Sequence, residues 1–148
     1  MPYFTYDTSV IISRRPVPLP RPAGNFLLSA VVLMELMASA TDDSQRKIYE
    51  QLLRGYQNEG SLIIPNEDDW LLASKVLYWL TQSRRRTAKG GLRRLDPGVS
   101  QRLALDALLA ASARRCKAAV VTENWKDFKS IQRFCNVQIV KAAEFFKT

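Results

Sequence analysis

The first candidate for chemistry is Asp106, an acidic residue inside the apolar run LALDALLAASA. At helical spacing its neighbours are Leu103, Ala107 and Ala110, so the sequence places its carboxylate on a face that is expected to be buried. Burying an unpaired carboxylate costs free energy or raises its pKa until it is neutral. We therefore expect Asp106 to have a partner.

Glu35 presents the same conflict in the run AVVLMELMAS, where it is the one charged residue. On a helix it lines up with Val31, Val32, Ala38 and Ser39, a largely apolar set. A metal ion or a structural arginine would compensate its charge, and the sequence leaves both open.

Polar residues also follow two predicted strands. Asp7 ends a short aromatic strand, and the cluster Thr122, Glu123, Asn124 and Asp127 directly follows the run AAVV. Because the carboxyl ends of parallel strands meet at one edge of a sheet, Asp7 is well placed for a site, although Asp is also a favoured helix N-cap.

The chain contains no histidine, which excludes Ser-His-Asp and Cys-His nucleophiles, His-rich zinc sites and a histidine general base. Oxygen ligands alone are what Mg²⁺ or Mn²⁺ prefers, and such an ion would relieve repulsion between gathered carboxylates. These residues favour metal-assisted attack of water on a phosphodiester.

The elements that must position these acids alternate along the chain. The patterns predict strands at 2–6, 25–28, 62–64, 118–121 and 137–140. They predict helices at 30–40, capped by Ser29, and at 42–56, with Ile48, Leu52 and Leu53 facing inward. A third helix is predicted at 69–83, capped by Asn66 or Asp68, and a fourth, capped by Ser100, carries Asp106. A short helix in TENWKDF and one at 141–147 complete the set. Apolar residues of the 69–83 helix, Trp70 and Leu71 among them, are expected in the core or a dimer surface. This alternation predicts a three-layer α/β domain with a mainly parallel sheet of about four to five strands, flanked by helices.

Two segments interrupt that pattern. Residues 14–22 hold four of the seven prolines and predict an extended loop. Residues 84–94, RRRTAKGGLRR, predict a flexible basic loop because two adjacent glycines would break a helix. Such a loop is either simply solvated or a contact for the RNA backbone, and we favour the RNA contact through Arg84, Arg85, Arg86, Lys89, Arg93 and Arg94.

Composition sets the outer bounds. At 148 residues and 47% hydrophobic content, residues 1–148 are expected to form a single domain. Net charge +8 favours a polyanionic or acidic partner. Two cysteines without CxxC spacing, no membrane-length apolar run and no secretion signal favour a cytoplasmic protein without membrane association.

The order of the motifs DTSV, MEL, ALDALLAASA and VVTENWKDF resembles PIN domains, most closely the VapC-type toxins of toxin–antitoxin pairs. The resemblance spans nearly the whole chain. It implies a Mg²⁺- or Mn²⁺-dependent endoribonuclease, usually dimeric and inhibited by a small antitoxin.

Carried over by motif, the resemblance implies Asp7, Glu35 and Asp106 as core acids and Thr8 or Ser9 as a hydroxyl near the metal. The fourth position stays open. The family has Asp or Asn at the position of Asn124 and commonly Asp at that of Asp127, so the set of catalytic acids is completed by Asp127 and the metal ligands by Asn124, Asp127 or both, with Glu123 as a possible substitute.

Two other functions remain compatible with the sequence. One is a non-catalytic basic α/β module that binds RNA or an acidic protein partner, with the acids serving as caps and salt bridges. The other is a PIN-like domain that has lost catalysis, for which Asn124 in place of an Asp is the hint.

Overall fold

The computed structural model describes residues 2–14, 19–20, 24–85 and 97–147. Five strands carry its sheet: β1 (Tyr3–Tyr6), β2 (Leu28–Ser29), β3 (Leu62–Ile63), β4 (Ala118–Thr122) and β5 (Ile139–Lys141). β1, β4 and β5 form one sheet and β2 pairs with β3, while a bridge between Phe4 and Phe26 joins the two. The resulting order is β3–β2–β1–β4–β5, and every pairing among the described strands is parallel.

Seven helices connect or follow these strands in the described part of the chain. They are α1 (Thr8–Ser13), α2 (Ala30–Ala38), α3 (Asp43–Asn58), α4 (Glu67–Arg85), α5 (Pro97–Arg115), α6 (Trp125–Gln132) and α7 (Ala142–Phe145). A parallel pair needs a long crossover between its strands, and helices supply it here. The predicted fold class, a mainly parallel sheet of about four to five strands flanked by helices, is confirmed.

Side chains at the helix starts explain where several helices begin. The amide of Val31 donates to Ser29 Oγ at 3.1 Å, as the sequence predicted, and the amide of Gln45 donates to Asp42 Oδ1 at 2.8 Å. At α4, Asn66 and Asp69 each accept a bond from the other's amide, at 2.9 and 3.0 Å. These bonds satisfy amides that the first turn leaves without a partner.

The core lies where helices cover the sheet. All five residues of β4 are buried, and α5 presents buried small residues from Ala107 to Ala113, which allow close approach to its neighbours. The largest fully buried side chains include Tyr56, Phe26 and Phe128. β4 therefore lies at the centre of the packing, between β1 and β5.

Several sequence predictions need correction. Ser100 does not cap α5, because that helix already begins at Pro97, and a proline suits the first helical position since its missing N–H is not needed there. Ile48 is 57% exposed rather than inward, at the rim of an apolar pocket that it shares with Leu52. For Trp70 and Leu71, which are more than half exposed, the core alternative is excluded and the dimer surface stays a prediction.

The basic segment also differs at its start, since α4 continues through Arg85, where a loop was predicted from Arg84. Arg86, Lys89, Arg93 and Arg94 lie outside the described residues, as does most of the proline-rich segment. In the part of the chain that the structure covers, no helix is both long and apolar enough to span a membrane.

Candidate active site

Asp7 follows β1 and lies at the carboxyl edge of the sheet. The parallel register pairs Tyr6 with Val121, which places Asp7 beside Thr122 at the end of β4. Thr122 Oγ1 donates to Asp7 Oδ2 at 2.8 Å. Asp7 Oδ1 accepts from Ser9 Oγ at 2.6 Å and from the amide of Val10 at 3.3 Å. Asp7 is therefore both the N-cap of α1 and a buried carboxylate that is bound from β4 and from the first turn of α1.

Glu35 reaches the same edge from α2. Thr8 Oγ1 donates to Glu35 Oε1 at 3.0 Å, which ties the second helix to the residue after Asp7. The face that carries Glu35 is only partly buried: Val31 and Val32 are buried, whereas Ala38 and Ser39 are exposed. The expected apolar surrounding is thus wrong for the C-terminal half of the helix, and Glu35 lies at the boundary between core and solvent.

Asp106 approaches from α5, and its helical neighbours Leu103, Ala107 and Ala110 are buried as predicted. Burial, followed by repulsion from Asp7, Glu35 and Asp127, raises the pKa of Asp106 to about 8. Arg102, one turn earlier on α5, partly offsets that increase. The pKa values identify four carboxylates whose charges act on one site.

The pKa values of Asp7 and Glu35 are shifted in the same direction as that of Asp106. Burial raises the pKa of Asp7, although the hydrogen bonds from Ser9 and Thr122 oppose the increase. Burial also raises the pKa of Glu35, with the Thr8 hydrogen bond opposing and the charge of Asp7 adding to it. Desolvation is the first cause in each case, because burial disfavours the charged form of a carboxylate.

Three residues between the end of β4 and the first turn of α6 are candidates for the fourth metal ligand. Asn124 is exposed at the N-cap and makes no side-chain capping bond, while its amide donates to Thr122 Oγ1 at 2.8 Å. Asp127 lies in the first turn, half-buried. The carboxylate of Glu123 is bound instead by Arg14 Nε at 2.9 Å. After burial, the charge of Glu123 adds to the raised pKa of Asp7, whereas the charge of Asp127 adds to that of Asp106. The ion pair with Arg14 partly neutralises Glu123, which favours Asp127 as the fourth acid.

Sequence reasoning missed two residues that organise this edge. Thr122 was recognised as polar but was not assigned to the site, although the β1–β4 register would have placed it opposite Asp7. Arg14 was treated as part of a proline-rich loop, yet it binds Glu123 and lies over the ring of Phe146, 4.8 Å from the ring centroid. No local pattern predicts that contact, because Arg14 and Glu123 are 109 residues apart in the chain.

The donor set suits a hard divalent cation. Among the described residues, no three acidic or cysteine side chains are arranged to hold one ion directly. The chemistry nevertheless fits, because the ligands available are carboxylate, amide and hydroxyl oxygens and because burial, followed by repulsion from the neighbouring acids, raises the pKa of Asp106. Mg²⁺ and Mn²⁺ commonly keep several waters, so two protein carboxylates can be sufficient.

The site also lies where an open parallel sheet generally forms one. Along the chain the strands extend from β1 outward to β2 and β3, and then continue on the other side of β1 with β4 and β5. The acids gather at the carboxyl ends of β1 and β4, where the direction of the strand order reverses. Ligands of open α/β sheets bind in the crevice at this switch point.

Comparison with known proteins extends these observations at the level of the fold. No protein-family model matches the sequence, and no curated protein matches it significantly. A chain of VapBC-1 from nontypeable Haemophilus influenzae superimposes with a TM-score of 0.60 at 20% identity, covering 95% of this chain and 98% of that one.

Two further structures agree. A chain of DNA-bound VapBC from Salmonella typhimurium matches with a TM-score of 0.57 at 16% identity, over 96% of this chain and 99% of the other. A chain of FitAcB from Neisseria gonorrhoeae matches with a TM-score of 0.57 at 18% identity, over 92% and 95%. The motifs, the parallel sheet and these superpositions together establish that the chain has the PIN-like fold of VapC-type proteins.

Proposed function

We propose that this protein is a metal-dependent endoribonuclease that hydrolyses RNA phosphodiester bonds and acts as the toxin of a toxin–antitoxin pair. The observation that carries the proposal is the convergence of Asp7, Glu35, Asp106 and Asp127 at the switch point of the sheet, where burial, followed by the charges of the other three, raises the pKa of Asp106. The fold and the net charge of +8 support it, since RNA is a polyanion.

Of Asp7, Glu35, Asp106 and Asp127, up to two would bind Mg²⁺ or Mn²⁺ directly and the others through water molecules that the ion keeps, with Asn124 as a neutral oxygen ligand. Such an ion, when bound, polarises the phosphodiester and lowers the pKa of a bound water. The hydroxyls of Thr122, Ser9 and Thr8 orient the carboxylates of Asp7 and Glu35 before any ligand arrives. Fixed acids of this kind favour catalysis because little reorganisation remains at the reaction step.

The test combines metal binding with cleavage. Calorimetric titration of Mn²⁺ into the wild type should give binding that Asp106→Ala loses, while Asp68→Ala, which removes an exposed acid of α4, should bind as the wild type does. RNA cleavage should require Mn²⁺ or Mg²⁺, stop with EDTA and be lost in Asp106→Ala.

The contrary outcome has a definite form. Full cleavage by a folded Asp106→Ala variant would refute the proposed site. RNA binding indifferent to EDTA, with no cleavage in Mn²⁺, would instead identify a non-catalytic basic module that binds RNA or an acidic partner.

The proposed partners are a small antitoxin and a second copy of the chain. The similar structures are named as VapBC, FitAB and FitAcB assemblies, which supports an antitoxin partner here. A homodimer is supported by Trp70, Leu71 and Tyr78, which are each more than half exposed on α4. Gel filtration of the wild type and of a Leu71→Glu variant checks the dimer, since a charge in that surface should shift the protein to the monomer.

A further inference from the structure

A pocket of about 540 Å³ adjoins the acidic edge, the part of the sheet edge where Asp7, Glu35, Asp106 and Asp127 converge. It is lined by Glu123, Asn124, Trp125, Lys126, Asp127 and Lys141. Asn124 and Asp127 thus belong both to this pocket and to the proposed metal site, so a ligand that occupies one extends into the other. The lining also includes the aromatic ring of Trp125 and the side chains of Lys126 and Lys141.

Trp125 differs from the other aromatic residue of α6. Phe128 is fully buried in the core, whereas Trp125 is only half-buried and its indole faces the pocket. The ammonium groups of Lys141 and Lys129 lie 4.9 and 5.4 Å from the ring centroid. Such cation–π contacts at an exposed site hold the lysines weakly, and the long lysine side chains can turn toward other anions.

A half-buried aromatic ring with lysines over it suits single-stranded nucleic acid, provided that a base takes the place of an ammonium group on the ring. A base stacks on the ring, and the cations contact the phosphates on either side of it. An acidic peptide would meet the lysines equally well, but aspartate and glutamate offer no flat π face to the indole. The aromatic ring therefore favours a nucleobase over a peptide.

We propose that Trp125 is a stacking platform for an unpaired base of single-stranded RNA, and that Lys141 and Lys126 contact the phosphates beside that base. The inference rests on the proposed ribonuclease function and specifies its substrate as an unpaired segment. A duplex has no free base face to offer, so the platform selects loops or single strands over helical RNA.

The experiment measures binding of a fluorescent oligouridylate of about eight nucleotides, a length within the range of single-strand sites. It uses the full chain with Asp106→Asn, so that the RNA stays intact. Trp125→Ala in that background should lower the affinity roughly 5- to 100-fold, the range that loss of one base–aromatic stack produces. Trp125→Phe should stay within about 3-fold, because the phenyl ring still stacks.

Tyr3→Ala is the control, since Tyr3 is an exposed aromatic residue at the amino end of β1 and does not line the pocket. Its affinity should equal that of the parent, and circular dichroism should show that all variants are folded. A polyglutamate chain serves as the acidic-peptide probe, and its binding should not depend on Trp125.

Two results would overturn the platform: unchanged oligouridylate affinity in Trp125→Ala, or an equal loss for polyglutamate, which would mean that the pocket selects charge or a peptide. Cleavage assays keep this failure separate from that of the proposed function. If Trp125→Ala cleaves single-stranded RNA in Mn²⁺ with unchanged KM, the nuclease stands and the platform fails. If the wild type never cleaves but binds oligouridylate through Trp125, the platform stands and the nuclease fails.

Discussion

Two buried aspartates of this protein, Asp7 and Asp69, are equally inaccessible at 3% exposure yet have opposite surroundings. Asp69 accepts from Arg115 Nε at 2.8 Å, and the same guanidinium donates to the backbone carbonyl of Ile64 at 2.9 Å. Asp7 accepts from two hydroxyls and faces further carboxylates instead of a cation.

The comparison separates a structural carboxylate from a candidate catalytic one. At Asp69 the fold supplies its own positive charge, so nothing further is needed. At the acidic edge the hydroxyls orient the carboxylates without neutralising them. Burial and then repulsion from the other acids raise the pKa of Asp106. A region that the fold leaves negatively charged is one that a cation from solution can complete.

The largest expected effect is on cleavage. Asp7→Asn should lower the Mn²⁺-dependent rate roughly 100-fold or more, the scale at which loss of one charged catalytic group acts. Asp69→Asn should keep the rate per folded molecule, because Asp69 lies away from the acidic edge. Rates on a single-stranded RNA, with the folded fraction from circular dichroism, check both; equal losses would remove the distinction.

The next effect is on stability. Arg115→Met should lower the free energy of unfolding by about 2 kcal/mol, because it leaves the Asp69 carboxylate buried without its cation. The half-exposed Arg115 side chain keeps the loss below that of a fully buried pair. Arg102→Met, which alters the exposed arginine beside Asp106, is the control and should change stability by less than about 0.5 kcal/mol. Urea denaturation measures both, and a neutral Arg115→Met would contradict the role of the pair.

The third effect concerns pH. Because the pKa of Asp106 is about 8 in the folded protein and 3.8 in its ordinary state, the folded state binds the extra proton between those values. Metal-free wild type should therefore lose stability as pH rises across that window, by at most about 1.4 kcal/mol per pH unit. Asp106→Asn should flatten the slope, and melting in EDTA at several pH values checks it. A wild-type stability that rises with pH there would contradict the assignment.

The smallest effect is expected at Glu123. The Arg14–Glu123 pair is one-third exposed on both sides, so Glu123→Gln should cost less than about 1 kcal/mol of stability and change cleavage only a few-fold. Asp127→Asn should reduce cleavage much more, since Asp127 acts on Asp106. Parallel rate measurements decide between the two residues; a larger loss in Glu123→Gln would make Glu123 the fourth ligand.

Periodicity predicted most of the fold because the elements are strongly patterned. The alternation of strands and helices, the Ser29 cap and the buried flank of Asp106 all follow from local sequence. The boundary at Ser100 was wrong because a first-turn proline starts α5 earlier, and the one at Arg84 was wrong because α4 continues through Arg85. The prediction that Ile48 faces inward was wrong because the elements packed around α3 decide which of its faces contacts the core. Periodicity indicates only that such a face exists.

Glu35 and Asp106 were found because each interrupts an apolar run, and Asp7 and Asp127 were found because they follow predicted strands. The residues that bind these acids through hydrogen bonds or ion pairs could not be predicted in the same way. The hydrogen bond from Thr122 to Asp7 depends on the β1–β4 register, and the pairing of Arg14 with Glu123 depends on how α1 meets the turn after β4. These are long-range contacts without a local signature.

The Thr122–Asp7 bond spans 115 residues, which has a consequence for the order of synthesis. A chain that has grown only through α5 already contains Asp7, Glu35 and Asp106, but β1 then lacks its neighbour β4. Closing so long a loop costs entropy that only the later pairing of β4 with β1 offsets. The nascent polypeptide therefore does not assemble the complete acidic edge until β4 and α6 have been translated.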